Sequence, residues 1–198
     1  MKRVVDQSIT SHDATFSASL IHWQKQHGRY QLPWQQTRDA YRIWLSEIML
    51  QQTQVSTVIP YYHRFLQQFP TVKTLAAAPV DQVMSLWAGL GYYTRARNLH
   101  RCAQVIARQH RGIFPDDVKS LAALPGIGPS TAAAITAFAY GTRAAILDGN
   151  VKRVLCRVFG IEGFPAQAAV ERQLWQCAER LLPARDIESY TQGLMDLG

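Results

Sequence analysis

The amino-acid sequence predicts an all-α protein. Three observations lead there. Apolar residues recur at helical spacing along most of the chain. Alternating, strand-like segments are scarce. Proline and glycine fall between the periodic stretches, at Pro70, Gly89-Leu90-Gly91 and Gly141, and mark helix ends.

The elements follow in chain order. Residues 14–27 form a first helix with Phe16, Leu20 and Trp23 on one face. The segment 28–40 is an irregular loop containing Pro33 and Trp34. A helix covers about 41–52, and another about 54–69 stops at Pro70. A short helix near 80–87 ends at the glycine pair, and a long basic helix runs from Tyr92 to His110. Residues 121–140 form two helices joined by the tight turn Pro125-Gly126-Ile127-Gly128, the second being Ala-rich from about Thr131. Further helices span about 150–159, 167–181 and 186–197. In the first of these, Val151, Val154, Leu155 and Val158 line one face, with Lys152, Arg153 and Arg157 off it.

Composition narrows the partners. With 198 residues, 47% of them hydrophobic, the chain buries a real core in one or two small domains, which argues against disorder. The net charge is +7, and all of it lies in residues 82–161; the remainder is neutral. Sixteen of the 21 basic residues are arginine, the side chain suited to bidentate phosphate contacts. Concentrated positive charge of this kind fits a polyanion, with a generic basic surface as the alternative. No apolar run approaches the roughly 18 residues of a membrane span. The opening MKRVVDQSIT does not resemble a targeting signal. Cys102, Cys156 and Cys177 fit no metal-binding spacing, and an odd count argues against a disulfide framework, so the expected setting is reduced and intracellular.

Four stretches carry candidate chemistry. A glycine turn entering a helix N-terminus presents backbone N–H groups to a phosphate, and the turn at 125–128 has that form; it also reads as a plain connection. Asp148 heads a basic helix, where the helix dipole keeps a carboxylate ionised, or where it serves only as an N-cap. Glu47 is the only acid between Asp39 and Asp81 and has apolar neighbours, which would raise its pKa and ready it to donate a proton; the alternative is a solvent-facing residue. Two carboxylates in opposed environments suit cleavage of a glycosidic bond. Gln51 and Gln52 follow Glu47 and read either as a base-stack wedge or as a polar helix end. In GLGYYTRARN (89–98), tyrosines beside arginines suit base stacking and backbone grip, or are core tyrosines with solvated arginines.

Together, WLSEIMLQQTQV, LWAGLGYYTRARNLH, LPGIGPSTAAAI and ILDGNVKRVL resemble the helix-hairpin-helix DNA glycosylases of the endonuclease III superfamily, nearest to their adenine-removing, MutY-type branch. The resemblance covers about residues 15–198. It implies two helical subdomains with a DNA-binding cleft between them: residues 1–31 with 145–198, and a helical barrel at 32–144 carrying the hairpin at about 114–140. It implies a cytoplasmic, nucleoid-associated base-excision enzyme acting on double-stranded DNA with adenine opposite 8-oxoguanine or guanine. No heptad or large apolar face suggests a dimer, so the expectation is a monomer. Glu47 takes the place of the general acid and Asp148 that of the carboxylate that stabilises the oxocarbenium ion. Gly126 and Gly128 take the phosphate-gripping positions, and Gln51 and Tyr92 those that enter the duplex. Gln35 and Gln192 fall near the adenine pocket. Bifunctional relatives carry a nucleophilic lysine where this sequence has Ser130, which implies excision without strand cleavage.

The resemblance also implies a [4Fe–4S] cluster. Family members continue past the Asp-Leu-Gly at 196–198 into its four cysteine ligands and then into a domain that reads 8-oxoguanine, whereas this sequence stops at Gly198. None of its cysteines matches a ligand position. The expectation is a fragment or truncated product with weakened stability and DNA binding. Two rivals follow: a DNA-binding remnant without turnover, and a pyrimidine glycosylase and lyase like endonuclease III.

Overall fold

A computed structural model describes residues 7–198, with side chains from Asp13 onward. Residues 1–6, which open the stretch read against a targeting signal, lie outside the described residues. The described residues form eleven α-helices and one short 3-10 turn, with no strand. They divide into two compact units. One joins the described residues up to Arg29 with Gly141–Gly198; the other is Tyr30–Tyr140.

The second unit is built around one apolar cluster that runs from Trp34 to Ala139. After the 3-10 turn Pro33–Gln35 come α2 (Ala40–Leu50), α3 (Val55–Gln68), α4 (Val72–Ala77), α5 (Val80–Trp87), α6 (Thr94–Gln109), α7 (Val118–Ala122) and α8 (Pro129–Tyr140). Asp39 caps α2 by accepting from the Tyr41 N–H at 2.9 Å. Every residue of α2 from Ile43 to Met49 except Glu47 is buried, so this helix runs through the core. Helix α8 is likewise buried almost all round, and its alanines allow close packing against α2. Helix α6 is amphipathic: Ala96, Leu99, Ala103 and Ile106 face inward, and Arg97, Arg101 and Arg108 are exposed. Aromatic edges bind the layers, with Trp44 5.3 Å from Phe114 and Phe65 5.8 Å from Trp87, centroid to centroid.

The first unit packs α1 (Gln7–His27) on α11 (Ile187–Leu197), with α9 (Gly149–Phe159) against α11 and α10 (Ala168–Arg180) against α9. Buried Gly193 permits the close approach of α11 to α1, because a Cβ there would lie 3.1 Å from Leu20 and Gln24 atoms. An ion pair joins Arg180 Nε to Asp13 at 2.7 Å.

Several sequence expectations need correction. The first helix starts at Gln7, not at 14, and its buried stripe is Asp13, Ser17, Leu20 and Gln24, with Phe16 and Trp23 only half-buried beside it. Two polar groups of that stripe are buried against distant partners: Ser17 Oγ donates to the Leu181 carbonyl and Asp13 forms an ion pair with Arg180. Helix α4 has no counterpart among the elements expected from periodicity; Thr71 nucleates it by accepting from the Thr74 N–H at 3.2 Å. The basic helix begins at Thr94, because Tyr92 has φ +49°. Val158 is exposed rather than part of the apolar face of α9.

Candidate active site

Glu47 lies one turn from the C-terminal end of α2 and is half-buried, flanked by buried Ile43, Trp44, Ser46 and Ile48. Gln51 is the C-cap of the same helix, and its Nε2 donates to Thr131 Oγ1 of α8 at 3.4 Å. Gln52 is exposed and has φ +56°. Tyr92, in the loop between α5 and α6, is 59% exposed and Tyr93 is 42% exposed, so neither is a core tyrosine. A positive φ on a side-chain-bearing residue is strained, and both Gln52 and Tyr92 show it.

The hairpin turn joins α7 to α8. Leu124 and Ile127 are buried, and the Ile127 N–H donates to the Leu124 carbonyl at 3.2 Å. Gly126 has φ +77°, and a Cβ there would sit 2.7 Å from Asn98 Cβ, so the turn requires glycine at this position. Gly128 is exposed and faces open space: a Cβ there would meet no atom within 4 Å. Pro129 opens α8 at the position where its missing N–H costs least, and Ser130 follows it, half-buried. The turn thus offers an exposed glycine surface at a helix N-terminus, an arrangement that suits an anion.

A pocket in this unit is lined by residues of three of these segments: Ile48 of α2 and its C-cap Gln51, Thr94, Arg95 and Asn98 of α6, and Pro125 and Gly126 of the turn. Gln51 and Gly126 thus share one surface feature. Sequence reasoning misses the role of one lining residue, Arg95. The sequence groups Arg95 with the solvated or phosphate-gripping arginines, but its guanidinium is turned inward. Nη1 faces the carbonyl oxygens of Ile48 (3.0 Å), Met49 (2.8 Å) and Gln51. Nη2 faces Thr53 Oγ1 (3.1 Å), the Leu90 carbonyl (3.3 Å) and the Gly91 carbonyl (3.2 Å). Burial lowers its pKa from the ordinary value. The only sequence signal for this role is its position just after a glycine-rich loop.

Gln35 closes the 3-10 turn, where its Oε1 accepts from the Leu32 N–H at 3.1 Å. In the first unit, Asp148 is the N-cap of α9, and its Oδ1 accepts from the Val151 N–H at 2.8 Å. It is half-buried, so one carboxylate oxygen is fixed by the helix while the group remains reachable. Gln192 donates through Nε2 to Asp196 Oδ1 at 2.9 Å. Asp196 is 3% exposed at its side chain and also accepts from Arg29 Nε at 2.6 Å, so the amide orientation of Gln192 is set from behind. Of the basic residues off the face of α9, Lys152 is tied to Glu171 at 2.6 Å, whereas Arg153 and Arg157 are exposed.

The three cysteines do not fit a four-thiolate cluster. Cys102 is buried in the core of the second unit, where burial pushes its thiol up to about 12. Cys156 and Cys177 belong to the first unit, and desolvation raises the Cys177 thiol as well. Among the described residues, no three His, Cys, Asp or Glu side chains gather to hold a metal ion. No helix of the described residues is long and apolar enough to cross a membrane.

Residues 45–180 match the family model of the HhH-GPD superfamily base excision DNA repair proteins. The chain is 44% identical over 183 residues to an adenine DNA glycosylase of Buchnera aphidicola from Acyrthosiphon pisum, a match that covers 92% of this chain and 52% of the relative. It is 42% identical over 192 residues to the Homo sapiens adenine DNA glycosylase, covering 92% of this chain and 35% of that protein. The chain thus spans about half the length of the bacterial relative and less of the human one. Among solved structures, a thermostable thymine-DNA glycosylase superposes with a TM-score of 0.86 at 28% identity, covering 96% of this chain and 87% of the other. Endonuclease III in a non-covalent DNA complex shares the fold, with a TM-score of 0.77 at 18% identity over 94% of this chain and 84% of the other. The all-helical architecture and the hairpin are those of this group, and the chain belongs to the HhH-GPD superfamily of base excision DNA repair proteins.

Proposed function

We propose that the chain is the catalytic part of an adenine-specific DNA glycosylase, which hydrolyses the N-glycosidic bond of adenine opposite 8-oxoguanine or guanine. The observation behind this reading is that Glu47 and Asp148 both lie within residues 45–180, the segment matched to a base-excision family, in a chain whose relatives are adenine DNA glycosylases. Double-stranded DNA is the partner: the hairpin turn grips phosphate beside Gly126 and Gly128, and Gln51, Gln52 and Tyr92 enter the duplex as the target base leaves the stack. Glu47 gives its proton to the departing purine, which makes adenine a neutral leaving group. As the bond breaks, the sugar gains positive charge, and ionised Asp148, held by the head of α9, stabilises it. Water then adds to the sugar. Gln192, oriented by Asp196, and Gln35 contribute to recognition of the adenine edge. The protein works as a monomer on nucleoid DNA.

Ser130 decides between simple excision and a lyase. A lysine amine can attack the sugar carbon, form a Schiff base and cleave the strand; a serine hydroxyl at this position cannot form that imine.

The test is single-turnover excision on duplexes carrying adenine opposite 8-oxoguanine, guanine or thymine, each with and without alkali. The expected result is alkali-dependent breaks at adenine opposite 8-oxoguanine and guanine, and none opposite thymine. Breaks without alkali would overturn the reading of Ser130. A folded chain that binds duplex and leaves every adenine in place would make it a binding remnant.

A further inference from the structure

Two segments proposed to enter DNA are joined by one side chain. The carbonyls at the C-terminal end of α2 have no partner within the helix, and a cation there is favoured by the helix dipole. Arg95 supplies it, with Nη1 on the carbonyls of Ile48, Met49 and Gln51. The same planar group reaches across to the other loop through Nη2, on the carbonyls of Leu90 and Gly91, and touches Thr53 Oγ1. Its faces are used too: the guanidinium carbon lies 5.3 Å from the ring centres of both Trp87 and Tyr92. Trp87 Nε1 donates at 3.0 Å to the Gly91 carbonyl, the same oxygen that Arg95 holds.

One side-chain-bearing residue on either side of this group has a strained backbone: Gln52 at φ +56° and Tyr92 at φ +49°. Gly89 at +94° and Gly91 at +76° take the other left-handed positions between α5 and α6 without that cost. Strain of this kind persists only where the surroundings over-determine it. Six acceptors on two chain segments, met by one rigid fork, are such surroundings.

We infer that Arg95 is a positioning residue that locks the Gln51-Gln52 corner and the Tyr92 loop into a single register, so that both segments enter a DNA duplex together. The inference rests on the proposed DNA-facing role of Gln51 and Tyr92, and it does not depend on which base is removed. Arg95 makes its contacts from behind and need not touch the nucleic acid.

The experiment compares affinity for a duplex containing a tetrahydrofuran abasic analogue with affinity for the same duplex intact, by fluorescence anisotropy with the whole chain. The variants are Arg95→Met, Arg95→Lys and Tyr92→Ala, each checked by circular dichroism. In Arg95→Met the preference for the abasic duplex should fall about tenfold. Arg95→Lys keeps the charge but concentrates its donors at one point, so it should lose about threefold. Adding Arg95→Met to Tyr92→Ala should change the preference by less than about twofold, because the register matters only through the segments it holds. Where Arg95→Met does not fold, Arg95→Lys alone and with Tyr92→Ala decides the matter. A role in stability alone would lower both affinities together and leave the preference unchanged, which would overturn the inference. Full additivity with Tyr92→Ala would overturn it as well. A wild-type chain with no abasic preference would remove both the inference and the DNA role of the two segments. Failure to excise adenine with the preference intact would remove only the choice of substrate.

Discussion

The two carboxylates assigned to catalysis, Glu47 and Asp148, are held in opposite ways. Glu47 projects from a helix whose other residues from Ile43 to Met49 are all buried, so its position is fixed by the packing of the helix around it. Asp148 stands at the head of an amphipathic helix and is fixed through its own oxygen, which caps α9. The first side chain has its position set by its neighbours. The second does structural work with the same group that is proposed to face the sugar. Removing the side chain should therefore separate structure from chemistry at Glu47 and couple them at Asp148, where only a substitute that still caps the helix can part them.

The largest difference is expected beneath the two groups. Leu45 is fully buried in α2, and Leu45→Ala should cost about 2–5 kcal/mol of stability in urea unfolding. Arg153, exposed on α9, should tolerate alanine within about 0.5 kcal/mol. Equal costs at the two positions would break the comparison.

Asp148 itself sharpens it. Asparagine caps a helix about as well as aspartate, so Asp148→Asn should keep stability while excision falls on the order of a hundredfold or more. Asp148→Ala should lose the same rate and about 1 kcal/mol of stability in addition. If the asparagine variant excises normally, Asp148 is a cap and nothing else.

The smallest effect concerns the buried thiol of Cys102. Cys102 is raised to about 12 from 9.0 by burial, so above pH 9 the unfolded chain releases a proton that the folded chain keeps. Stability contributed by this site is complete below that pH and falls as the pH rises toward the folded value. The drop in Tm between about pH 8 and pH 10 should be smaller in Cys102→Ala than in the unsubstituted chain.

How much of this is legible in the sequence depends on the range of the interactions. The all-helical class and most helix positions follow from local periodicity, and the hairpin follows from two glycines, one of which the backbone requires. Short α4 escapes because six residues hold too little periodicity, although Thr71 and Thr74 form its cap. The face of α1 is hidden because Ser17 and Asp13 are buried against partners more than 160 positions away, the Leu181 carbonyl and Arg180. Arg95 is legible as a basic residue beside tyrosines, but not as an inward clamp, because four of its six acceptors lie 42 to 47 residues earlier in the chain. Periodicity reports which face of a helix is apolar. It does not report which distant backbone carbonyls need a donor.

The central claim is that Glu47 is the proton donor for loss of adenine. The measurement that tests it most directly sets Glu47→Gln beside the unsubstituted chain, with duplex affinity and single-turnover excision at adenine opposite 8-oxoguanine read on the same preparations. Affinity and folding should be unchanged, with excision reduced by roughly 10² to 10⁴. Excision at the unsubstituted rate by a folded, DNA-bound Glu47→Gln variant would contradict it.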